Sequence, residues 1–255
     1  MSNLLDITGL DVSFPSQVET ILAVREVSFT LKPSEVLGIV GESGAGKSTI
    51  GNAIINLLEP PGEITKGKIL FQGQNLRELS DKEMRDIRGK KVGMIFQDPQ
   101  TSLNPLMTIG DQLIETINKS ANLYGRLAID KAIELLKSVG IDKPEVRLKS
   151  YPHQFSGGMR QRVVIALVLA GEPDLIIADE PTTALDVSIQ AQILDLIKKL
   201  CRERNLGVII ITHDIGVIAN IADRVSVMYN GSIVETGEVR QILTKPTHKY
   251  TRSLI

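Results

Sequence analysis

The most informative segment of this 255-residue chain is Gly41-Glu42-Ser43-Gly44-Ala45-Gly46-Lys47-Ser48. It fits the pattern G-x-x-x-x-G-K-[ST] and lies between the apolar run 36–40 and a stretch with helical character, 49–58. The glycines allow the backbone to wrap a phosphate closely, and the following helix adds the positive end of its dipole. The segment therefore predicts a nucleotide-binding loop; the alternative is a glycine-rich turn with a chance lysine.

Within this loop, two side chains have distinct predicted roles. Lys47 supplies a positive charge to the β- and γ-phosphates of a nucleotide, and the Ser48 hydroxyl can coordinate Mg²⁺. The residues that we expect to contact the nucleotide are Gly41, Ser43, Gly44, Gly46, Lys47, Ser48 and Thr49.

A second apolar run, 175–178, ends in two adjacent carboxylates, Asp179 and Glu180. The C-terminal ends of strands are where α/β sheets place ligand chemistry, and neighbouring side chains on a strand point in opposite directions. We expect Asp179 to hold Mg²⁺, directly or through water, and Glu180 to accept a proton from the water that attacks the γ-phosphate. The alternative is an acidic pair that only caps a loop.

A second helix start suited to an anion lies between these motifs. Ser156 fits an N-cap, Gly157 and Gly158 free the backbone to approach a ligand, and an apolar helical run, 163–170, follows. One interpretation is an ordinary helix start. The other is that two copies of the chain share each nucleotide, because one nucleotide fills only one of the two anion-receiving starts that each chain carries.

The rest of the chain alternates between short strand-like runs and helical stretches, which is typical of an α/β fold. Alternation at Val27, Phe29 and Leu31 predicts a half-buried strand, and Asn230-Gly231 predicts a hairpin turn. Helices are predicted at 126–139, stopped by Gly140, and along an apolar stripe from 189 to 200. Four runs that are mostly apolar on both faces predict parallel strands covered by helices; they are 36–40, 92–96, 175–178 and 208–211.

Composition excludes several classes of protein. The 29 Lys and Arg residues nearly balance 30 Asp and Glu residues, so we expect no general affinity for nucleic acid. A single cysteine rules out an internal disulfide and a cysteine-only metal or iron–sulfur site. No run approaches the roughly 18 apolar residues of a spanning helix, and nothing suggests secretion, so we expect the chain to work in the cytosol.

Taken together, these motifs resemble those of the ATP-binding-cassette (ABC) ATPases along essentially the whole chain. Residues 41–48 resemble the family's Walker A loop, 175–180 its Walker B strand, and 155–159 its signature. Gln97 resembles the Q-loop glutamine, His213 the switch histidine, Ala184-Leu185-Asp186 the D-loop, and Phe14 the aromatic residue that stacks on adenine. The alternatives are that Gln97 caps a strand, that His213 is structural, and that Phe14 serves the core while Tyr124 stacks on adenine.

The resemblance implies a fold, a set of site residues and two ligands, ATP and Mg²⁺. The fold is a P-loop NTPase with a mostly parallel core sheet, an antiparallel β-subdomain and a helical subdomain. The whole of 1–255 forms one ABC ATPase domain, with a core lobe at 1–97 plus 172–255 and a helical lobe at 98–171. Gln97, Glu180 and His213 are implied in catalysis, Ser48, Gln97 and Asp179 in metal binding, and Asp186 in organising a dimer interface.

Three longer segments resemble the oligopeptide, dipeptide and nickel importer branch of that family: 151–162, 96–105 and 248–254. The signature ends in Met159, where the general family has glutamine, and Ser34 stands where many relatives carry glycine. We expect the backbone N–H donors of the signature to recognise phosphate without that glutamine.

The resemblance also implies partners. We expect a peripheral ATPase on the cytosolic face of the membrane, forming a homodimer or a heterodimer with a sister subunit. Transmembrane permease subunits would dock on the helical lobe, and a substrate-binding protein outside the membrane would select the cargo. The alternatives are a non-transport ABC ATPase of the ribosome or of DNA repair, a regulatory module that binds nucleotide without hydrolysis, and a phosphate-loop kinase.

Overall fold

The computed structural model describes residues 3–16, 19–183 and 185–255. The strands are β1 (Leu5–Phe14), β2 (Ile21–Leu31), β3 (Val36–Val40), β4 (Glu63–Phe71), β5 (Gln74–Asn75), β6 (Val92–Ile95), β7 (Leu175–Asp179), β8 (Gly207–Thr212), β9 (Arg224–Tyr229) and β10 (Ser232–Glu238). The helices are α1 (Lys47–Ile54), α2 (Asp81–Ile87), α3 (Pro99–Ser102), α4 (Ile109–Ala121), α5 (Arg126–Ser138), α6 (Pro144–Arg147), α7 (Gly157–Leu169), α8 (Val187–Glu203), α9 (Ile215–Ile221), α10 (Val239–Thr244) and α11 (Lys249–Leu254).

The chain divides into two compact units, Met1–Ile87 with Leu200–Ile255, and Arg88–Lys199. The first unit contains the segment 41–48 and His213, and the second contains Gln97, Ser156 and Glu180. The predicted lobes, 1–97 with 172–255 and 98–171, divide the chain at other residues, and those lobe boundaries stay a prediction.

The first unit holds an antiparallel sheet in the order β2-β1-β4-β5. Along β2, Val27, Phe29 and Leu31 are buried, while Ser28 is exposed and Thr30 is half-buried, so the predicted half-buried strand is confirmed. Residues of one face alternate with those of the other because successive side chains on a strand point in opposite directions.

The same unit contains β3, the strand that precedes the phosphate loop, and the parallel neighbours of β3. β3 pairs in parallel with β8 on one side and with β9 on the other, and β10 pairs antiparallel with β9. Every residue of β3 and β8 is buried, as the apolar runs predicted. The β9–β10 turn has positive φ at both Asn230 (45°) and Gly231 (83°), the requirement of a tight hairpin turn that an Asn-Gly pair meets.

In the second unit, β6 and β7 pair in parallel, and α4, α5 and α7 pack on one another. α5 ends at Ser138, and Gly140 has a φ of 74°, which confirms the predicted helix and its stop. The apolar stripe of α8 is also confirmed: Ile193, Leu196 and Ile197 are buried. These helices and strands give the α/β architecture that the sequence predicted.

The helix after the phosphate loop differs from its prediction. We expected 49–58, but α1 begins at Lys47 and ends at Ile54. Asn56 adopts a left-handed conformation, with φ at 50°, and this turns the chain out of the helix. The apolar side chains of Leu57 and Leu58 extended the helical pattern in the sequence, yet Leu57 is 46% exposed.

Two further features concern the single cysteine and the length of the helices. Cys201, at the end of the α8 stripe, is fully buried, and its S–H donates to the Leu206 carbonyl oxygen at 3.0 Å. Among the residues that the structure describes, no helix is both long and apolar enough to cross a membrane.

Candidate nucleotide site

The phosphate-binding loop, residues 41–48, connects β3 to α1 in the first unit. Lys47 is 5% exposed, and its Nζ donates to the carbonyl oxygens of Gly41 at 2.8 Å and Glu42 at 2.9 Å. The lysine charge therefore lies inside the curve of the loop. Gly44 and Gly46 have φ values of 81° and 95°, a backbone conformation that glycine adopts at little cost.

Neighbouring backbone packs closely against this loop. A Cβ at Gly41 would lie 2.1 Å from the Met228 carbonyl oxygen, and one at Gly46 would lie 2.3 Å from that of Ala23. Only glycine allows these approaches. The Ala45 carbonyl oxygen also accepts a hydrogen bond from the Gly231 amide at 3.1 Å.

Several other residues that are predicted to contact the nucleotide are accessible to solvent. Ser43, Gly44 and Ser48 are exposed, and Thr49 is half-buried at the start of α1. A loop of exposed N–H groups at the N-terminus of a helix, with a buried lysine behind it, is suited to a polyphosphate.

In the second unit, β7 delivers the two predicted carboxylates to its C-terminal end. Asp179 is 8% exposed, and Glu180 follows in a left-handed conformation, with φ at 47°. The Glu180 Oε2 atom accepts a hydrogen bond from Gln97 Nε2 at 3.1 Å and another from Thr183 Oγ1 at 2.9 Å. The Glu180 carboxylate is therefore held by two donors, and its role in catalysis stays a prediction.

This arrangement brings together residues from two separate motifs of the sequence. Gln97 lies two residues beyond β6, and the parallel pairing of β6 with β7 brings it beside Glu180. Thr183 was missed. Its only signal in the sequence is its spacing, because the turn after Glu180 places it within reach: the Thr183 amide donates to the Glu180 carbonyl oxygen at 3.2 Å.

Ser156 begins α7 as its predicted N-cap, and its Oγ accepts a hydrogen bond from the Met159 amide at 3.3 Å. Ser156 and Gly157 are exposed, whereas Gly158 is buried because Ile189 lies against it; a Cβ at Gly158 would be 2.5 Å from the Ile189 Cγ2 atom. The same unit has a cavity of about 240 Å³ that Gln97, Thr183 and Gly157 line with neighbouring residues.

The predicted D-loop is described only in part. Ala184 lies outside the described residues. Asp186 accepts a hydrogen bond on Oδ1 from the Ile189 amide at 3.0 Å, so its side chain caps the start of α8. Its predicted role at a dimer interface stays a prediction.

His213 follows β8 directly and is exposed. The next residue, Asp214, caps α9 by accepting a hydrogen bond from the Gly216 amide at 2.7 Å, and its own amide donates to Thr212 Oγ1 at 3.1 Å. His213 thus lies at the junction of a strand and a capped helix.

The two aromatic candidates for adenine stacking lie in different settings. Phe14 ends β1 half-buried, with its ring against Gly62, where a Cβ would come within 2.6 Å of the ring. Tyr124 is 64% exposed in the turn between α4 and α5. The adenine contact stays a prediction.

A strand–loop–helix phosphate site together with a buried aspartate and a held glutamate at a strand end defines a phosphate-loop nucleotide hydrolase. The sequence profile of the ABC transporter family matches residues 24–183. The chain belongs to this family, and it is an ABC ATPase of the transport type.

Relatives and solved structures agree with this membership. The oligopeptide transport ATP-binding protein OppD of Bacillus subtilis is 53% identical over 100% of this chain and 72% of its own length. The dipeptide transport ATP-binding protein DppD of the same organism is 52% identical over 100% of this chain and 76% of its own length. The dimeric post-hydrolysis structure of the ATP-binding cassette MJ0796, bound to ADP and phosphate, superposes with a TM-score of 0.81 at 32% identity, covering 92% of this chain and 99% of that one.

Proposed function

We propose that this chain is the ATP-hydrolysing subunit of a membrane importer for short peptides. The observation that carries the hydrolytic role is the Glu180 carboxylate, which Gln97 and Thr183 hold at the end of β7. Similarity over the whole of this chain to oligopeptide and dipeptide transport ATP-binding proteins supports the transport role and the class of cargo.

In this proposal the phosphate-binding loop holds the ATP triphosphate. Its backbone N–H groups and the dipole of α1 attract the phosphate oxygens, and Lys47 adds a full positive charge. Because Lys47 already points into the curve of the loop, little rearrangement is needed for it to meet the β- and γ-phosphates. Phe14 is the proposed adenine contact.

The donor set of the chain fits Mg²⁺. This ion prefers oxygen ligands and binds through one or two carboxylates together with substrate phosphates. The Ser48 hydroxyl, the Asp179 carboxylate and the Gln97 side-chain oxygen are the proposed ligands from the chain. When bound, the ion would neutralise charge that develops on the phosphates.

We assign the proton-accepting step to Glu180. Its carboxylate takes a proton from the water that attacks the γ-phosphate, while Gln97 and Thr183 fix its orientation. His213, between β8 and α9, is proposed to assist at the γ-phosphate.

We further propose that two ATPase subunits, identical or sister chains, enclose each nucleotide. In each subunit Ser156 and Gly157 present an exposed, capped helix start, and a second subunit's phosphate loop would supply the nucleotide that these residues lack. The dimeric MJ0796 cassette supports this arrangement.

The dimer is proposed to work at the cytosolic face of the membrane. Transmembrane permease subunits would dock on residues 98–171, which we propose as the helical lobe, and an extracytoplasmic binding protein would select the peptide. ATP-driven closure of the dimer and its release on hydrolysis would then drive the permease.

The hydrolytic role is tested with Glu180→Gln, which keeps the shape of the side chain and removes its basic carboxylate. We expect ATP binding to persist and the steady-state release of phosphate to fall at least about a hundredfold, the scale of a lost general base. Glu134→Gln, at a carboxylate that is 62% exposed on α5, is the matched control. Normal turnover in Glu180→Gln would refute the assignment.

The cargo class is tested in cells that carry either the wild-type gene or the Glu180→Gln allele. Uptake of a labelled dipeptide, a labelled tetrapeptide and radioactive nickel is measured in parallel. We expect the allele to abolish peptide uptake and to leave nickel uptake unchanged. Loss of nickel uptake alone would overturn the peptide assignment, and no change in any uptake would overturn the transport role.

A further inference from the structure

Residues 247–254 are here called the tail segment, and the proposed function assigns them no role. They form a short turn followed by α11, in the same compact unit as the phosphate-binding loop. The contacts of this segment lead directly to the loop.

A single carboxylate anchors the start of the tail segment. Glu235 Oε1 accepts hydrogen bonds from the Thr247 amide and hydroxyl, both at 2.7 Å, and its Oε2 accepts one from the His248 amide at 3.0 Å. His248 then caps α11, since its Nδ1 accepts a hydrogen bond from the Tyr250 amide at 3.2 Å. This hydrogen bond fixes the backbone of Tyr250 at the start of α11.

The Tyr250 side chain reaches from α11 to the loop. Its ring packs against Tyr229, with centroids 4.3 Å apart and planes at 34°. Its hydroxyl oxygen accepts a hydrogen bond from the Glu42 amide at 3.0 Å. Burial raises the pKa of the Tyr250 phenol, so that it stays protonated across the physiological range.

Glu42 is the second residue of the phosphate-binding loop, and its backbone is held on both sides. Its carbonyl oxygen accepts from Lys47 Nζ at 2.9 Å, and its amide donates to Tyr250. Lys47 is the group expected to meet the β- and γ-phosphates when ATP binds. The hydrogen bond from the Glu42 amide to Tyr250 does not involve Lys47. It can therefore hold the backbone of the loop in place both before and after ATP binds.

We propose that Tyr250 is a positioning residue for nucleotide binding, whose hydroxyl holds the first turn of the phosphate-binding loop open through the Glu42 amide. The tail segment thereby sets the affinity of the loop for ATP. This inference rests on the proposed function in one respect, that the loop is where ATP binds.

The test compares Tyr250→Phe with the wild type and with Tyr229→Phe. Tyr250→Phe removes only the hydroxyl and keeps the packed rings, and Tyr229→Phe removes the hydroxyl of the other ring while leaving the Glu42 contact in place. The dissociation constant of ATP with Mg²⁺ is measured by competition with a fluorescent ATP analogue. Hydrogen exchange of the Glu42 amide is measured in the nucleotide-free protein.

For Tyr250→Phe we expect ATP to bind about fivefold more weakly, the scale of one neutral hydrogen bond, and Glu42 to exchange faster. KM for ATP should rise while kcat at saturating ATP stays unchanged, a split that a general loss of folded protein would not produce. Tyr229→Phe should match the wild type in all of these measurements. An affinity within about twofold of the wild type, or an unchanged Glu42 exchange rate, would overturn the proposal.

Failure of this inference is distinguishable from failure of the proposed function. The exchange and affinity measurements require no hydrolysis, so they decide the role of Tyr250 even for a chain that proved inactive in transport. Conversely, loss of turnover in Glu180→Gln would stand whatever Tyr250→Phe does.

Discussion

The backbone of Glu180 has a φ of 47°, in a region where a side chain with a Cβ atom is disfavoured. Non-glycine residues in this conformation need support from their surroundings, and they concentrate at functional sites. The support here comes from Gln97 and Thr183, whose side chains both donate to the same carboxylate oxygen. The unusual backbone turns the carboxylate away from the line of β7 and towards these donors.

We expect Thr183→Val to lower kcat about tenfold, because the Glu180 carboxylate loses a hydrogen bond to a charged group. The KM for ATP should stay unchanged, since Thr183 makes no proposed contact with the nucleotide. Steady-state phosphate release over a range of ATP concentrations measures both constants.

Thr183→Ser is the control, because it retains the hydroxyl and removes one methyl group. It should restore most of kcat. A wild-type kcat in Thr183→Val would show that Gln97 alone is sufficient to orient Glu180.

Single residues were predictable where a local motif defines them. Lys47 is set by the glycine pattern around it, and Asp179 and Glu180 by the apolar strand before them. Tyr250 was not predictable, because its partner Glu42 is 208 residues away in the chain. Only the packing of α11 within the first unit brings the two residues together.

Whole elements were predicted best where both faces of a strand are apolar. β3, β7 and β8 are buried along their entire lengths, and such runs leave little ambiguity. The end of α1 was wrong because a left-handed asparagine, which a hydrophobic pattern does not detect, stops the helix before two further leucines. The pairing of β6 with β7, which places Gln97 beside Glu180, depends on contacts distant in the sequence.

The tail segment should be sensitive to acid through its anchor. Burial alone would raise the pKa of the Glu235 carboxyl, but the hydrogen bonds that Thr247 and His248 donate to it lower the pKa to about 2. A lowered folded-state pKa stabilises the docked tail above the ordinary pKa of 4.5, and this stabilisation is lost as the pH falls from 4.5 towards 2. Tyrosine fluorescence of the Tyr229–Tyr250 pair should follow this loss.

Glu235→Gln should undock the tail segment partly at neutral pH, at a cost of about 1 kcal/mol after solvent screening. It should also flatten the fluorescence change between pH 4.5 and 2. Glu238→Gln, at an exposed carboxylate on the same strand that makes no capping bond to α10, is the control. An acid transition of the same size in Glu235→Gln would contradict the anchoring role.

At the scale of the whole molecule, the proposed dimer depends on the exposed start of α7. We expect Ser156→Arg to leave ATP binding by each subunit within about twofold of the wild type, because Ser156 is not part of the phosphate-binding loop of its own chain. ATP-dependent dimerisation of the Glu180→Gln protein should be abolished by adding Ser156→Arg. Light scattering with and without ATP and Mg²⁺ measures this.

Leu127→Arg, at a side chain that is 64% exposed on α5, controls for the added charge. It should permit dimerisation in the same background. A dimer that persists in the Ser156→Arg variant would contradict the shared nucleotide site, and loss of dimerisation in both variants would trace the effect to charge alone.

The shielded thiol of Cys201 makes the chain convenient for spectroscopy. Burial raises its pKa to about 11, so almost none of it is the nucleophilic thiolate at neutral pH. It is also the sole cysteine of the sequence. A cysteine introduced at Val187, which is 83% exposed, would therefore take a maleimide dye or a spin label selectively, and opening and closing of the assembly could be followed without first removing the native sulfur.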